Sequence, residues 1–170
     1  MKDIKVFGVD LAKTIFQLHG ADGKGRKVLQ KRLKRGDLLE FMANQKPCLI
    51  GLEACGSAHY WAREFQSLGH EVKLMAPQFV KPYVKSNKND RNDASGIAEA
   101  VTRPDMRFVP IKRIDQQDTL LLHRTRELLL KNRTAHANQI RGLLGEYGIV
   151  IPKGLSQLKK LLEILELNRN

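Results

Sequence analysis

Cysteine is nearly missing from this sequence: Cys48 and Cys55 are the only two in 170 residues. Neither has a second thiol or a histidine at zinc-ligand spacing, so no zinc site is expected. Both flank a run that reads as a buried strand, and they are expected to act as small apolar residues in a reducing compartment. Long hydrophobic runs are also lacking. No stretch is long and apolar enough to span a bilayer and no signal peptide is discernible, so a cytoplasmic protein with no membrane partner is expected. The glycine patterns of phosphate loops and dinucleotide folds are absent, which removes the common nucleotide-driven enzymes. His19, His59, His70, His123 and His136 have no nucleophile or metal-ligand spacing around them and receive no catalytic role. Ser57, after Gly56, reads as a helix cap rather than a nucleophile.

Negative charge is the other shortage, with 18 Asp+Glu against 30 Lys+Arg and a formal net charge of +12. The sequence pI is about 9.9, the range that flags nucleic-acid binding. The cations are spread through three clusters, Lys24 to Arg35, Lys73 to Arg91 and Lys112 to Arg141. A polyanion, DNA or RNA, is the first partner to consider.

Periodicity supplies the elements. Ile4 to Asp10 is a β-branched-rich strand ending in an acid, and Thr14 to His19 alternates as a second strand. Their short connection predicts a hairpin. Val28 to Leu33 makes a third strand with a basic exposed side. Asp37 is predicted to cap a helix to about Gln45. Cys48 to Leu52 is wholly apolar, the mark of a strand buried on both faces, and it ends in Glu53. A helix over Ala58 to Leu68 puts Trp61 and Phe65 on one face. A strand over Glu71 to Met75, a helix from Pro77, a polar loop over Lys85 to Lys88 and a helix to about Val101 follow. Arg107 to Ile111 is a last extended segment.

Three strands in a meander, then strands alternating with helices, is the order of a ribonuclease H-like α/β fold. We therefore expect a mixed five-stranded sheet with helices on both faces over residues 1–112. Residues 113–170 form a helical region. Leucines from Leu120 to Leu144 recur with helical spacing, on a helix too long to lie on a small sheet. It is predicted to project and to pack on another helix, in cis or as a homodimer or higher oligomer. After Pro152-Lys153-Gly154 a second amphipathic helix begins near Leu155.

In a ribonuclease H-like fold the first and fourth strands are parallel neighbours, roughly 4.8 Å apart. Asp10 and Glu53 would then emerge at one sheet edge, outside the carboxyl ends of the strands, where open α/β sheets place their sites. In the stretch Lys88-Asn89-Asp90-Arg91-Asn92-Asp93-Ala94, the two acids are three residues apart and share a helix face. Asn89 or Asp90 also suits an N-cap. Together Asp10, Glu53, Asp90 and Asp93 are the candidate catalytic and metal-binding residues. Such a cluster can hold two Mg²⁺ ions, or Mn²⁺ in their place, for phosphodiester chemistry. Lys81, Lys85, Lys88 and Arg91 would line the same edge as phosphate contacts. Arg124, Arg126, Arg133 and Arg141 on the long helix are further nucleic-acid candidates.

Five motifs appear in order: Gly8 to Lys13, Gly51 to Gly56, Pro77 to Lys81, Lys88 to Ala94, and Asn138 to Leu144. Together they resemble the DEDD transposases of the insertion sequence 110 family, relatives of the pilin-gene invertases, over nearly the whole chain. The resemblance implies a RuvC-like domain whose Asp10, Glu53, Asp90 and Asp93 bind Mg²⁺, followed by a coiled-coil region used in assembly. It implies DNA recombination guided by a structured bridge RNA that pairs with donor and target DNA. It also implies a C-terminal domain with a serine nucleophile. Nothing here matches that domain, so the chain reads as the N-terminal half, inactive in strand exchange alone. The alternatives are a RuvC-type junction nuclease and a non-catalytic nucleic-acid-binding and dimerisation module.

Overall fold

The computed structural model describes residues 3–84 and 90–159, with the side chains of Asp90 and Arg91 left out. The chain divides into two compact units, Met1–Arg113 and Ile114–Asn170.

In the first unit β1 (Val6–Asp10), β2 (Ile15–Ala21) and β3 (Lys27–Lys34) form an antiparallel meander. Helix α1 (Leu38–Ala43) leads to β4 (Leu49–Glu53), which pairs parallel with β1. Helix α2 (Ala58–Ser67) leads to β5 (Glu71–Met75), parallel with β4. A short helix α3 (Pro77–Val80) and a 3-10 turn at Lys81–Tyr83 come before α4 (Asp90–Ala100). The chain returns as β6 (Phe108–Val109), antiparallel to β5. The sheet order is β3-β2-β1-β4-β5-β6, the ribonuclease H-like arrangement with first and fourth strands adjacent and parallel. The sheet has six strands rather than five. The extra one is the extended segment near Val109, where a two-residue strand is too short to show alternation.

Alternation then sorts the side chains by face. On one face Phe7, Val9, Phe16, Leu18, Leu33, Ile50, Leu52 and Leu74 pack with Leu38 and Met42 of α1 and with Trp61 and Phe65 of α2. Trp61 meets Phe16 edge-on at 5.1 Å and lies 5.9 Å from Phe65. Each such side chain contributes roughly 1.5–3 kcal/mol by burial. The opposite face is thinner. There Met75 and Val80 pack with Ile97 and Ala100 of α4 and with Val101 just after it.

Buried His70 ties α1 to β4. Its Nδ1 accepts the Cys48 N–H at 3.3 Å, and its Nε2 lies 3.2 Å from the Met42 carbonyl oxygen. Burial pushes the Cys48 thiol up to about 11, which suits a packing residue. Cys55 departs from expectation, because its side chain is exposed after β4 has ended. The expected caps differ too. Ser57 and Asp37 occupy N-cap positions without a side-chain capping hydrogen bond. Ser57 sits at φ 68, a left-handed conformation, and only its carbonyl serves the helix, accepting the Trp61 N–H at 3.1 Å. Asp37 closes a 3-10 turn, Arg35–Asp37, that runs straight into α1.

The second unit is built on α5 (Ile114–Gly145), 32 residues long. Gly148 at φ 77 ends it, with the Ile149 N–H donated back to Leu144 at 3.0 Å. Arg141 donates to Asn138 Oδ1 at 2.7 Å and to the Gly154 carbonyl at 2.8 Å, and a further helical turn begins at Leu155. Leu121, Leu122, Leu128, Leu129 and Leu143 remain 57–71% exposed.

Candidate functional site

Strands β1 and β4 are in register, with Gly8 opposite Gly51 and Val9 opposite Leu52. One residue further along each strand come Asp10 and Glu53. Phe7, Val9, Ile50 and Leu52 face α1 and α2, so alternation assigns Gly8, Asp10, Gly51 and Glu53 to the α4 face.

The two glycines seat α4. A methyl group at Gly8 would overlap the Ala94 carbonyl oxygen and the Ala98 amide nitrogen. One at Gly51 would stand 2.8 Å from Val101 Cβ. Glycine is required at Gly8 because the helix backbone itself comes down on the strand. With Ala94 over Gly8, the first turn of α4 is brought to the end of the sheet where Asp10 and Glu53 emerge. Sequence reasoning passed over both glycines, although a glycine inside an apolar strand is itself a signal of close backbone approach.

The electrostatics register the same convergence. Burial, then the Asp10 carboxylate, then the Asp93 carboxylate push Glu53 above the ordinary glutamate range. Although the Cys55 side chain is exposed, partial desolvation at this turn, then Glu53, then Asp10 push its thiol up as well. Asp10, Glu53 and Asp93 come from β1, β4 and α4, so three separate elements feed one field. Asp90 is the first residue of α4, and its side chain lies outside the described residues.

Lys81 is exposed on the 3-10 turn after α3. Asn89, Lys85 and Lys88 lie outside the described residues, as does the side chain of Arg91. Arg124, Arg126 and Arg133 are exposed along α5, whereas Arg141 is partly buried with its guanidinium bound within the second unit.

The carboxylate set is hard oxygen chemistry, which suits Mg²⁺ or Mn²⁺ and not a soft metal. Among the described residues no group of three or more His, Cys, Asp or Glu is arranged to hold a metal ion. The fit therefore rests on donor type and on the mutual field of the acids, not on a closed coordination shell.

Sheet order, parallel β1–β4 register and strand-end acids define a ribonuclease H-like protein of the α/β class. The family model for DEDD transposases of the IS110 type matches residues 7–149, and the chain belongs to that transposase family. It is 51% identical over 157 residues to a probable family 20 transposase of Pseudomonas aeruginosa, covering 92% of this chain and 46% of that protein. It is 48% identical to the transposase for insertion sequence element IS1111A of Coxiella burnetii, covering 97% of this chain and 45% of the relative. The transposase for IS1328 of Yersinia enterocolitica is 43% identical, with 98% and 50% covered. The chain thus spans about half the length of the curated relatives it matches. Among solved structures, Thermus thermophilus RuvC in complex with a Holliday junction substrate aligns with 61% of this chain and 98% of its own, at a TM-score of 0.46 and 14% identity.

Proposed function

We propose that this chain is the metal-binding part of an insertion-sequence transposase that acts on DNA phosphodiesters. The observation that carries the reading is geometric: parallel register brings Asp10 and Glu53 to the ends of neighbouring strands, and Gly8 seats the first turn of α4, which carries Asp93, against the same face. The raised Glu53 agrees with that crowding. Like charges gathered from three elements cost folding energy, and such perturbed clusters concentrate at functional sites. Asp10, Glu53, Asp90 and Asp93 would hold Mg²⁺, which when bound activates an attacking oxygen and stabilises a leaving one. The chain's own part is to fix the carboxylates. The register of β1 with β4 sets the spacing of the first two, and Gly8 lets α4 deliver the others.

In this reading the DNA is positioned by cations near the acids, among them Lys81, Lys85, Lys88 and Arg91. A structured guide RNA and a second copy of the chain are engaged through the helical region. The exposed leucines of α5 support assembly, and its exposed Arg124, Arg126 and Arg133 support RNA or DNA contact. The same features favour a second reading, in which the isolated chain is a non-catalytic nucleic-acid-binding and dimerisation module.

Thermal unfolding with and without Mg²⁺ tests the first. Millimolar Mg²⁺ should raise the Tm of the chain by several degrees, and Asp10→Asn or Asp93→Asn should remove that rise. In a transposase containing this chain, the same substitutions should abolish recombination and spare RNA binding. A Tm rise that survives Asp10→Asn, or normal recombination by either variant, would sink the assignment.

A further inference from the structure

On the side away from β4, register links Asp10 through β2 to two cations of β3. Asp10 lies opposite Gln17, and Gln17 lies opposite Arg32. One row across the sheet therefore reads Arg32, Gln17, Asp10, with Glu53 next in line on β4. Residues directly opposite share a face, so Gln17 and Arg32 lie on the same face as Asp10. Lys34, two residues beyond Arg32 and opposite Ile15, shares that face. Strand β3 is antiparallel to β2 and therefore co-directional with β1, so Arg32 and Lys34 approach the sheet end at which the acids emerge.

Cations on the two faces of this hairpin are used differently. Lys31 stands 4.4 Å over the Phe41 ring, and Arg35 lies 5.1 Å from the Trp61 ring and 5.8 Å from Phe16. Those two cover the aromatic core. Arg32 and Lys34 are exposed, and among the described residues no ion pair or aromatic ring engages either. Charge on an edge strand also deters strand pairing, but that role does not require a cation aligned with a carboxylate two strands away.

We propose that Gln17, Arg32 and Lys34 form a phosphate-binding track that carries a DNA strand across the β2–β3 hairpin into the acid cluster. The proposal rests on the reading of Asp10 and Glu53 as the site where a phosphodiester reacts. Arg32 stands two strand spacings, about 10 Å, from Asp10. A phosphate flanking the reacting one would meet the Arg32 guanidinium and Gln17 amide, and the next along the strand would meet Lys34. Such contacts set position and are indifferent to base sequence.

The test is a salt titration of DNA binding by the 170-residue chain, using a fluorescein-labelled duplex in EDTA and anisotropy as the readout. Each phosphate contact contributes about 0.9 to the slope of log K against log salt. The double variant Arg32→Gln, Lys34→Gln should lower the slope magnitude by about 1.8 and weaken binding, because two such contacts are removed. The matched control, Lys31→Gln with Arg35→Gln, removes the same charge from the opposite face and should leave the slope near the wild-type value. Far-UV circular dichroism at low temperature confirms that both variants are folded. Equal slopes for the two double variants, or no DNA binding at low salt, would overturn the track. Because metal is excluded, failure of the acid cluster to bind Mg²⁺ leaves this readout unchanged, so the two ideas fail separately.

Discussion

The two faces of the sheet are built on opposite plans. On the α1 and α2 face, large rings and branched side chains interlock, and Lys31 and Arg35 lie over the aromatic groups. On the α4 face, Gly8 and Gly51 let Ala94, Ala98 and Val101 settle almost onto the strands. The first plan spreads stability over many contacts. The second uses fewer and smaller side chains, yet it delivers the first turn of α4 to within the field of Glu53. A fold that must hold repelling carboxylates together draws its stability from the face that carries none of them.

Substitutions on each face should separate these roles. Phe65 is fully buried beside Trp61, and Phe65→Ala should cost about 3–5 kcal/mol by denaturant unfolding. Any protein still folded at low temperature should keep its Mg²⁺ stabilisation. Gly8→Ala should cost less, about 1–3 kcal/mol as an overpacked site, but abolish the Mg²⁺ response because α4 must lift. If Gly8→Ala keeps the full response, the seat of α4 does not control the acids.

Much of the first face and part of the second were readable in advance. The apolar Cys48 to Leu52 run announced a central strand, and the acids at positions 10 and 53 stood out because each ends a strand. Their adjacency followed once element order implied parallel first and fourth strands, and the observed register agrees. The segment of β6 was expected to be extended, but its pairing with β5 as a sixth strand was not, because two residues carry no periodicity. The Gln17–Arg32 row escaped because a register is a relation between strands, set by the two hairpins, and no single strand contains it. The caps at Asp37 and Ser57 were misread because residue type was suitable while the backbone was not: one closes a 3-10 turn and the other is left-handed.

A finer cut compares neighbours in the chain. Arg35→Ala removes a cation from over Trp61 and should cost about 0.5–1 kcal/mol, the usual worth of an exposed cation–π contact. Lys34→Ala, one residue earlier but on the other face, should change stability by less than about 0.5 kcal/mol. Equal losses would mean that the division of β3 cations by face has no energetic content.

The smallest effects concern pH, and here the regions should respond with opposite sign. Glu53 is raised by burial and by Asp10 and Asp93. Its folded form holds a proton more tightly than the unfolded chain, so ionisation costs stability above the unfolded value, 4.5. Glu53→Gln should therefore raise stability at pH 7, by under about 1 kcal/mol once solvent screening is allowed for, read by denaturant unfolding. That gain should shrink as pH falls through the folded pKa and vanish below about 4.5. His59 of α2 lies in the reverse situation. Its Nδ1 accepts the Lys112 N–H at 3.2 Å, and burial, then Lys112, then Arg63 hold its pKa below 6.5. Protonating it costs stability only as pH falls through 6.5 toward the lower folded value. His59→Gln loses the ring's hydrogen bond at neutral pH, so it should unfold earlier than wild type at pH 7.5, and the gap should narrow by pH 5. Parallel pH profiles for the two variants would show that neither the acid end nor the cationic flank of α2 imposes its field on the fold.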